Sequence, residues 1–100
     1  MSGLTGHVVE EEICFTLVEL CRVCGANEHE LAAWVAEGVL EPEGESASSW
    51  RFSGASLRRA QRAVHLARDL EINASGVALA LDLLDEIEAL RARLSRLGGR

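Results

Sequence analysis

The stretch FTLVELCRVCGANEHELAAWVAEGVLEP, running from Phe15 to Pro42, decides the fold of this chain. Thr16 and Glu19 form a T-x-x-E capping box, in which each side chain satisfies a free backbone N–H at the other's position, and Phe15 and Leu20 stand where a hydrophobic staple would. Leu17, Leu20, Cys21 and Cys24 fall on one face of the helix so begun, and Gly25 supplies a left-handed stop. After a two-residue turn, Asn27 opens a second helix. Glu28 and Glu30 suit the positive end of its dipole, and Glu30 is placed to close a second capping box. Leu31, Trp34 and Val35 are expected inside, with Gly38 ending the helix. Two short helices joined by so tight a turn predict a helix-turn-helix.

Downstream, Val39-Leu40-Glu41-Pro42 and Trp50-Arg51-Phe52 read as two short strands around a small-residue loop from Glu43 to Ser49. Alternation puts Trp50 and Phe52 on one face, and Pro42 suits an edge strand, so this hairpin is expected to be a β-wing. Trp34, Trp50 and Phe52 are expected to hold the wing on the core. Ser53 then caps a third helix of roughly residues 54–71, with Leu57, Ala60, Val64, Ala67 and Leu70 inward and Arg58, Arg59, Arg62 and Arg68 on the remaining faces.

Asn73 caps a last long helix running to about Leu97. Its first half, with Val77, Leu79, Ala80, Leu81, Leu83 and Leu84, is apolar over too wide an arc for one small domain to cover. Its second half narrows to Leu83, Ile87, Leu90, Leu94 and Leu97 at a four-three-four-three spacing, a coiled-coil seam of two heptads. The sequence holds no second long helix to complete a hairpin, so homodimerisation through Leu83, Ile87, Leu90 and Leu94 is expected. With Leu83 at a d position, Glu86 pairs with Arg91 of a parallel partner or with Arg93 of an antiparallel one; both arrangements stay open. At the other end, Val8-Val9 before Glu10-Glu11-Glu12 reads as a short strand or as disorder. The organisation expected is a lead-in over residues 1–13, a winged core over 14–72 and a dimerising helix over 73–100, in a mainly α fold with a small β-wing.

One hundred residues bound a single domain with one core. A hydrophobic content of 48% with only 4% aromatic residues fits an Ala/Leu-rich helical protein. No run approaches the ~18 apolar residues of a membrane span, and no basic segment leads into an apolar one at the N-terminus, so no signal peptide is expected. Three cysteines, an odd number, argue against a disulfide framework and for a reducing cytoplasm.

The net charge of −6 is unevenly spread. Residues 1–45 carry ten Glu against a single Arg22, whereas residues 46–100 carry nine Arg against six Asp or Glu; lysine is absent. Nucleic-acid binding draws most of its affinity from cations that neutralise phosphates, so the acidic front half opposes a nucleic-acid partner. A basic protein surface is the better match, although a merely solubilising acidic surface would have the same composition. Arg58, Arg59 and Arg62 read either as ion-pair partners of the acidic front half or as contacts to a nucleic-acid backbone, and the nearby acidity favours the first.

Other chemistries find little footing. Cys21-x-x-Cys24, with Cys14, His7 and His29 nearby, lacks the second pair of ligands a structural zinc site needs, so no metal is expected. Cys21 and Cys24 fit the buried side of the first helix, and no βαβ pattern surrounds them to suggest redox work. His65, between Val64 and Leu66, reads as a structural or surface histidine. Asp82, Asp85 and Glu86 have no companion nucleophile or phosphate loop, so no catalytic residue, enzymatic activity or cofactor is expected.

The order helix-turn-helix, wing, Arg-rich helix and long terminal helix resembles the MerR superfamily, with SSWRFS (Ser48–Ser53) where that family has its G-Y-R-x-Y wing strand. Within it, Trp50–Phe52, RRAQRAVHLARDL (Arg58–Leu70) and NASGVALALDLLDEIEALRARL (Asn73–Leu94) look similar to the chaperone-modulator (CbpM) family over residues 13–97. The resemblance implies a winged-helix protein that binds the J-domain of CbpA, a DnaJ-like co-chaperone, blocks its work with an Hsp70 and interferes with its DNA binding. It also implies that Glu37, Glu41, Glu43, Asp82, Asp85 and Glu86 would meet a basic J-domain. DNA-binding relatives carry an R-x-L-R-Y-Y-E pattern in the second helix; here the run is Glu30 to Glu37 with no Arg, and the wing loop carries Glu41, Glu43 and Glu45. Base-edge donors are therefore missing from the recognition helix. A MerR-like transcription regulator that binds DNA through the third helix and wing is the alternative.

Overall fold

The computed structural model describes residues 14–98, so the lead-in and its Val8-Val9 segment lie outside the described residues. The order is β1 (Cys14–Phe15), α1 (Leu17–Cys24), α2 (Glu28–Ala36), a 3-10 turn (Ala47–Ser49), β2 (Phe52–Ser53), α3 (Gly54–Leu70) and α4 (Ala74–Arg96). Among the described residues the fold is thus four helices with a small two-stranded sheet, the winged helix-turn-helix expected.

Both capping boxes form. The Thr16 backbone N–H donates to Glu19 Oε1 at 2.9 Å while the Glu19 N–H donates to Thr16 Oγ1 at 3.2 Å. Asn27 and Glu30 repeat the exchange at 3.1 and 2.8 Å. α1 stops at Gly25, with φ 77°. α2 stops in a Schellman turn: the Gly38 N–H donates to the Val35 carbonyl and the Val39 N–H to the Trp34 carbonyl, at 3.0 and 2.8 Å. Gly38 holds φ 81°, a left-handed angle that costs a residue with a Cβ about 1 kcal/mol or more. The turn folds Val39 back beside Trp34, and both are buried.

The sheet departs from expectation. Phe52 pairs antiparallel with Phe15, and Ser53 with Cys14, so the partner of β2 is the segment ahead of α1 rather than Val39–Pro42. The expected hairpin survives as one bridge, in which Glu43 and Arg51 exchange backbone hydrogen bonds of 3.0 and 2.9 Å. Burial explains the difference. Val39 and Leu40 follow the Schellman turn directly into the core, at 3% and 2% exposure, so their path is set by packing against α2 rather than by a ladder.

Leu20, Leu31, Trp34, Leu40, Phe52, Ala60, Ala63, Val77 and Leu81 make the centre of the core. Phe52 is fully buried, and Trp50 meets it edge-on with ring centroids 6.0 Å apart, holding the wing as expected. On α3 the inward face is carried by Ala60 and Ala63, with Leu57, Val64 and Ala67 half-buried. Leu70, expected inside, is 60% exposed because α3 ends there and Glu71 turns away with φ 54°. Small alanines at the α3 centre let α3 and α4 approach closely.

α4 buries Val77 and Leu81 against the core, with Ala78 and Leu84 beside them. Beyond Leu84 every described residue to 98 is exposed. A 23-residue helix spans about 35 Å, so its second half projects from the domain.

Candidate functional site

The acidic residues singled out by sequence fall into two groups. Glu37, Glu41 and Glu43 lie at the end of α2 and along the wing, and all three are exposed. Asp82, Asp85 and Glu86 are exposed on α4, two to three turns into the helix. Arg59 of α3 joins the groups. Its Nε–H donates to the Val39 carbonyl at 2.8 Å, its Nη1 reaches Asp85 Oδ2 at 3.2 Å, and its Nη2 stands 3.9 Å from Asp82 Oδ1. One side chain thereby ties the segment after α2 to the long helix, and Glu41, Arg59 and Asp82 line the same open cleft. Sequence reasoning did not single out that hub. Its signal was an arginine among other arginines, and only the approach of α4 to α3 distinguishes it.

Of the α3 arginines, one for which no such pairing was expected turns to the acidic front half. Arg68 pairs with the acidic front half, donating to Glu30 at 3.1 Å and to the Gly25 carbonyl at 2.9 Å. Arg59 and Arg62 do not. They pair with Asp82, Asp85 and Glu88 of α4, the Arg62–Glu88 distance being 3.7 Å. The reason is geometric: α3 and α4 lie side by side, and the acidic run of α4 is opposite the basic run of α3. Such half-exposed pairs add little stability singly, about 0–1 kcal/mol each, but they fix the register of the two helices. Among the described residues of the front half, Glu28, Glu37, Glu41, Glu43 and Glu45 are exposed.

Leu83, Ile87, Leu90 and Leu94 are exposed by 54%, 43%, 49% and 59%. With 100° per residue they lie opposite Val77 and Leu81, so α4 has a second apolar face turned away from its own core. Glu86 and Arg93 flank one edge of that face and Arg91 the other.

The cysteines are free thiols in α1 and just before it. Burial pushes the Cys21 thiol up from its ordinary value, and the neighbouring Cys24, Glu28 and Glu30 add to the shift. Burial does the same to Cys24. Both thus hold their protons at neutral pH, when the thiolate is the reactive form. Exposed Cys14 is expected to react with a thiol reagent at pH 7.5 well before Cys21 and Cys24, as counted by mass spectrometry of the partly labelled chain. Among the described residues no group of three or more His, Cys, Asp or Glu is placed to hold a metal ion. Nor, among them, is any helix long and apolar enough to cross a membrane.

Comparison with known proteins agrees with this architecture. The model of the MerR HTH family regulatory proteins matches residues 15–98, nearly the whole described chain. The chaperone modulatory protein CbpM of Coxiella burnetii is 39% identical over 94 residues, covering 94% of this chain and 89% of the relative. Proteins of the same name from Salmonella arizonae and Salmonella newport are 37% identical over 79 residues, covering 79% of this chain and 78% of each relative. The chain belongs to the chaperone modulatory protein CbpM family, on the winged helix-turn-helix scaffold of the MerR regulators.

Proposed function

We propose that this protein is a non-enzymatic chaperone modulator that binds the J-domain of a CbpA/DnaJ-like co-chaperone in the cytoplasm and inhibits its co-chaperone activity and its DNA binding. The observation that carries the reading is the 37–39% identity to proteins named chaperone modulatory protein over most of the chain. The surface supports it physically. Glu37, Glu41 and Glu43 from the front half and Asp82, Asp85 and Glu86 from α4 are exposed carboxylates, suited to a partner surface rich in Lys and Arg.

The protein acts as a homodimer in this reading, joined through Leu83, Ile87, Leu90 and Leu94. An isolated helix of about 12–15 residues is marginal in water. The exposed half of α4, with its apolar face, therefore gains most by pairing with a second copy whose flanking Glu86, Arg91 and Arg93 offer opposite charges.

Asp85→Lys with Glu86→Lys is expected to weaken J-domain binding by about tenfold or more at low salt. Because Asp85 also pairs with Arg59 and Glu86 flanks the proposed seam, sedimentation equilibrium of the variant accompanies the titration, and unchanged affinity would make these residues bystanders. The alternative of a DNA-binding regulator draws on the MerR scaffold and the arginines of α3. A gel shift at low salt with a promoter fragment tests it, and sequence-specific retardation would favour that alternative.

A further inference from the structure

From Gly54 to Arg68, α3 carries four arginines and no acidic residue. Ala55, Arg58, Arg62 and His65 follow one another at three- and four-residue spacings, so they form one stripe, and with Gln61 they line one open surface of the helix. Ala60 and Ala63, which are fully buried, lie on the other side. Arg62 Nη2 stands 3.7 Å from Glu88, beyond hydrogen-bond distance, and the Arg62 side chain is 42% exposed. A guanidinium has five N–H donors in a planar fork, so its pairing with α4 leaves room for a second carboxylate. The strand pairing decides which part of the chain lies near this stripe. Cys14 pairs with Ser53, the residue that caps α3, and the two strands are antiparallel. The chain ahead of Cys14 therefore leaves the sheet in the direction in which β2 enters α3. That stretch carries Glu10, Glu11 and Glu12 in succession.

We propose that the acidic lead-in lies back along this stripe, Glu12 against Arg58 and Glu10 against Arg62, as a built-in cover for the cationic face of α3. Spacing supports the pairing. In an extended chain, residues two apart point to the same side at a separation of about 7 Å, and the residue between them, Glu11, points the other way. Arg58 and Arg62 are four helical positions apart, about 6 Å along the axis. Reach agrees as well. Glu12 and Glu10 are two and four residues from Cys14, about 7 and 13 Å of extended chain. Arg58 and Arg62 lie about 7.5 and 13.5 Å along α3 from Ser53. The tether through β1 keeps these carboxylates at a high effective concentration beside the arginines, so a phosphate has to displace them before it can bind. The cover goes beyond the J-domain reading and does not depend on it: it keeps nucleic acid and other polyanions off the basic helix of the scaffold.

The test uses the full chain, with a short DNA duplex of random sequence as the polyanion probe. Glu10→Gln with Glu12→Gln is expected to tighten binding of the duplex about tenfold at low salt. Glu11→Gln with Glu45→Gln removes the same charge away from the stripe and is expected to tighten it about twofold or less. Digestion by a glutamate-specific protease, read by mass spectrometry, reports the cover with no ligand present. Arg58→Gln with Arg62→Gln is expected to speed cleavage after Glu10 and Glu12 about fivefold or more, because cleavage follows the population of the open form. Cleavage after Glu45, exposed in the wing, is the reference and is expected not to change. Equal gains from the two glutamate variants, or no gain from Glu10→Gln with Glu12→Gln, would overturn the cover. So would cleavage after Glu10 and Glu12 that does not respond to the arginine changes. Protection that grows with protein concentration would assign the glutamates to a second copy and overturn the cover within one chain.

Discussion

Replacing Ile87 and Leu90 together by glutamate is expected to turn the proposed homodimer into monomers. Neither residue contributes to the core of its own chain: Ile87 is 43% and Leu90 49% exposed. The folded core should therefore survive the change, and what is lost is the partner. Each glutamate would sit in a seam that otherwise excludes water, and burying an unpaired carboxylate there costs several kcal/mol, enough to empty the dimer at micromolar concentration. Sedimentation equilibrium should give about twice 10.8 kDa for the wild-type chain and the single-chain mass for the variant. Far-UV circular dichroism should fall as well, because the projecting half of α4 then has nothing to pack against. A wild-type chain that runs as a monomer, or a variant that stays dimeric, would contradict the assignment of Leu83, Ile87, Leu90 and Leu94 to the interface.

The largest effect on stability is expected from Phe52→Ala. Phe52 is fully buried, pairs in the sheet with Phe15 and packs edge-on against Trp50. Removing the ring loses its transfer free energy and leaves a cavity, together about 3–5 kcal/mol. Against a total stability of about 5–15 kcal/mol for a domain of this kind, that is a large share. The midpoint of thermal unfolding should fall by roughly 12 °C or more. Val23→Ala, at a position 51% exposed, should by contrast change stability within about 0.5 kcal/mol. A small effect of Phe52→Ala would mean that the wing is not part of the cooperative core.

These two expectations show which parts of the fold local chemistry makes legible. Thr16, Glu19, Asn27 and Glu30 are capping signals whose effect is confined to one helical turn, and the structure reproduces each hydrogen bond they imply. Gly25, Gly38 and the Ser53 and Asn73 caps likewise set helix ends from within a few residues. The sheet was less legible because its pairing is non-local. Cys14–Phe15 and Phe52–Ser53 are far apart in the chain, and nothing in either dipeptide names the other. Val39–Pro42 had the composition of a strand, but the Schellman turn carries Val39 and Leu40 into the core instead. Leu70 was expected inside by periodicity alone; the left-handed backbone at Glu71, which no glycine announces, ends α3 before that periodicity can apply.

The candidate site was legible in kind more than in geometry. Composition located the acidity and the spacing on α4 located an exposed apolar face. Which arginine pairs with which carboxylate depends on the packing of α3 on α4, and that packing assigned Arg59 and Arg62 to α4 rather than to the front half. Arg59 shows the limit most clearly. Its importance comes from three contacts to residues at least twenty positions away.

Docking on a co-chaperone is measured most directly by titrating this protein into an isolated CbpA-type J-domain, followed by calorimetry and repeated with the Hsp70 partner in competition. Saturable binding that weakens as salt is raised, and displacement of the Hsp70 from the J-domain, is the predicted result. No heat of binding at low salt, together with sequence-specific retention of promoter DNA by the same preparation, would contradict it.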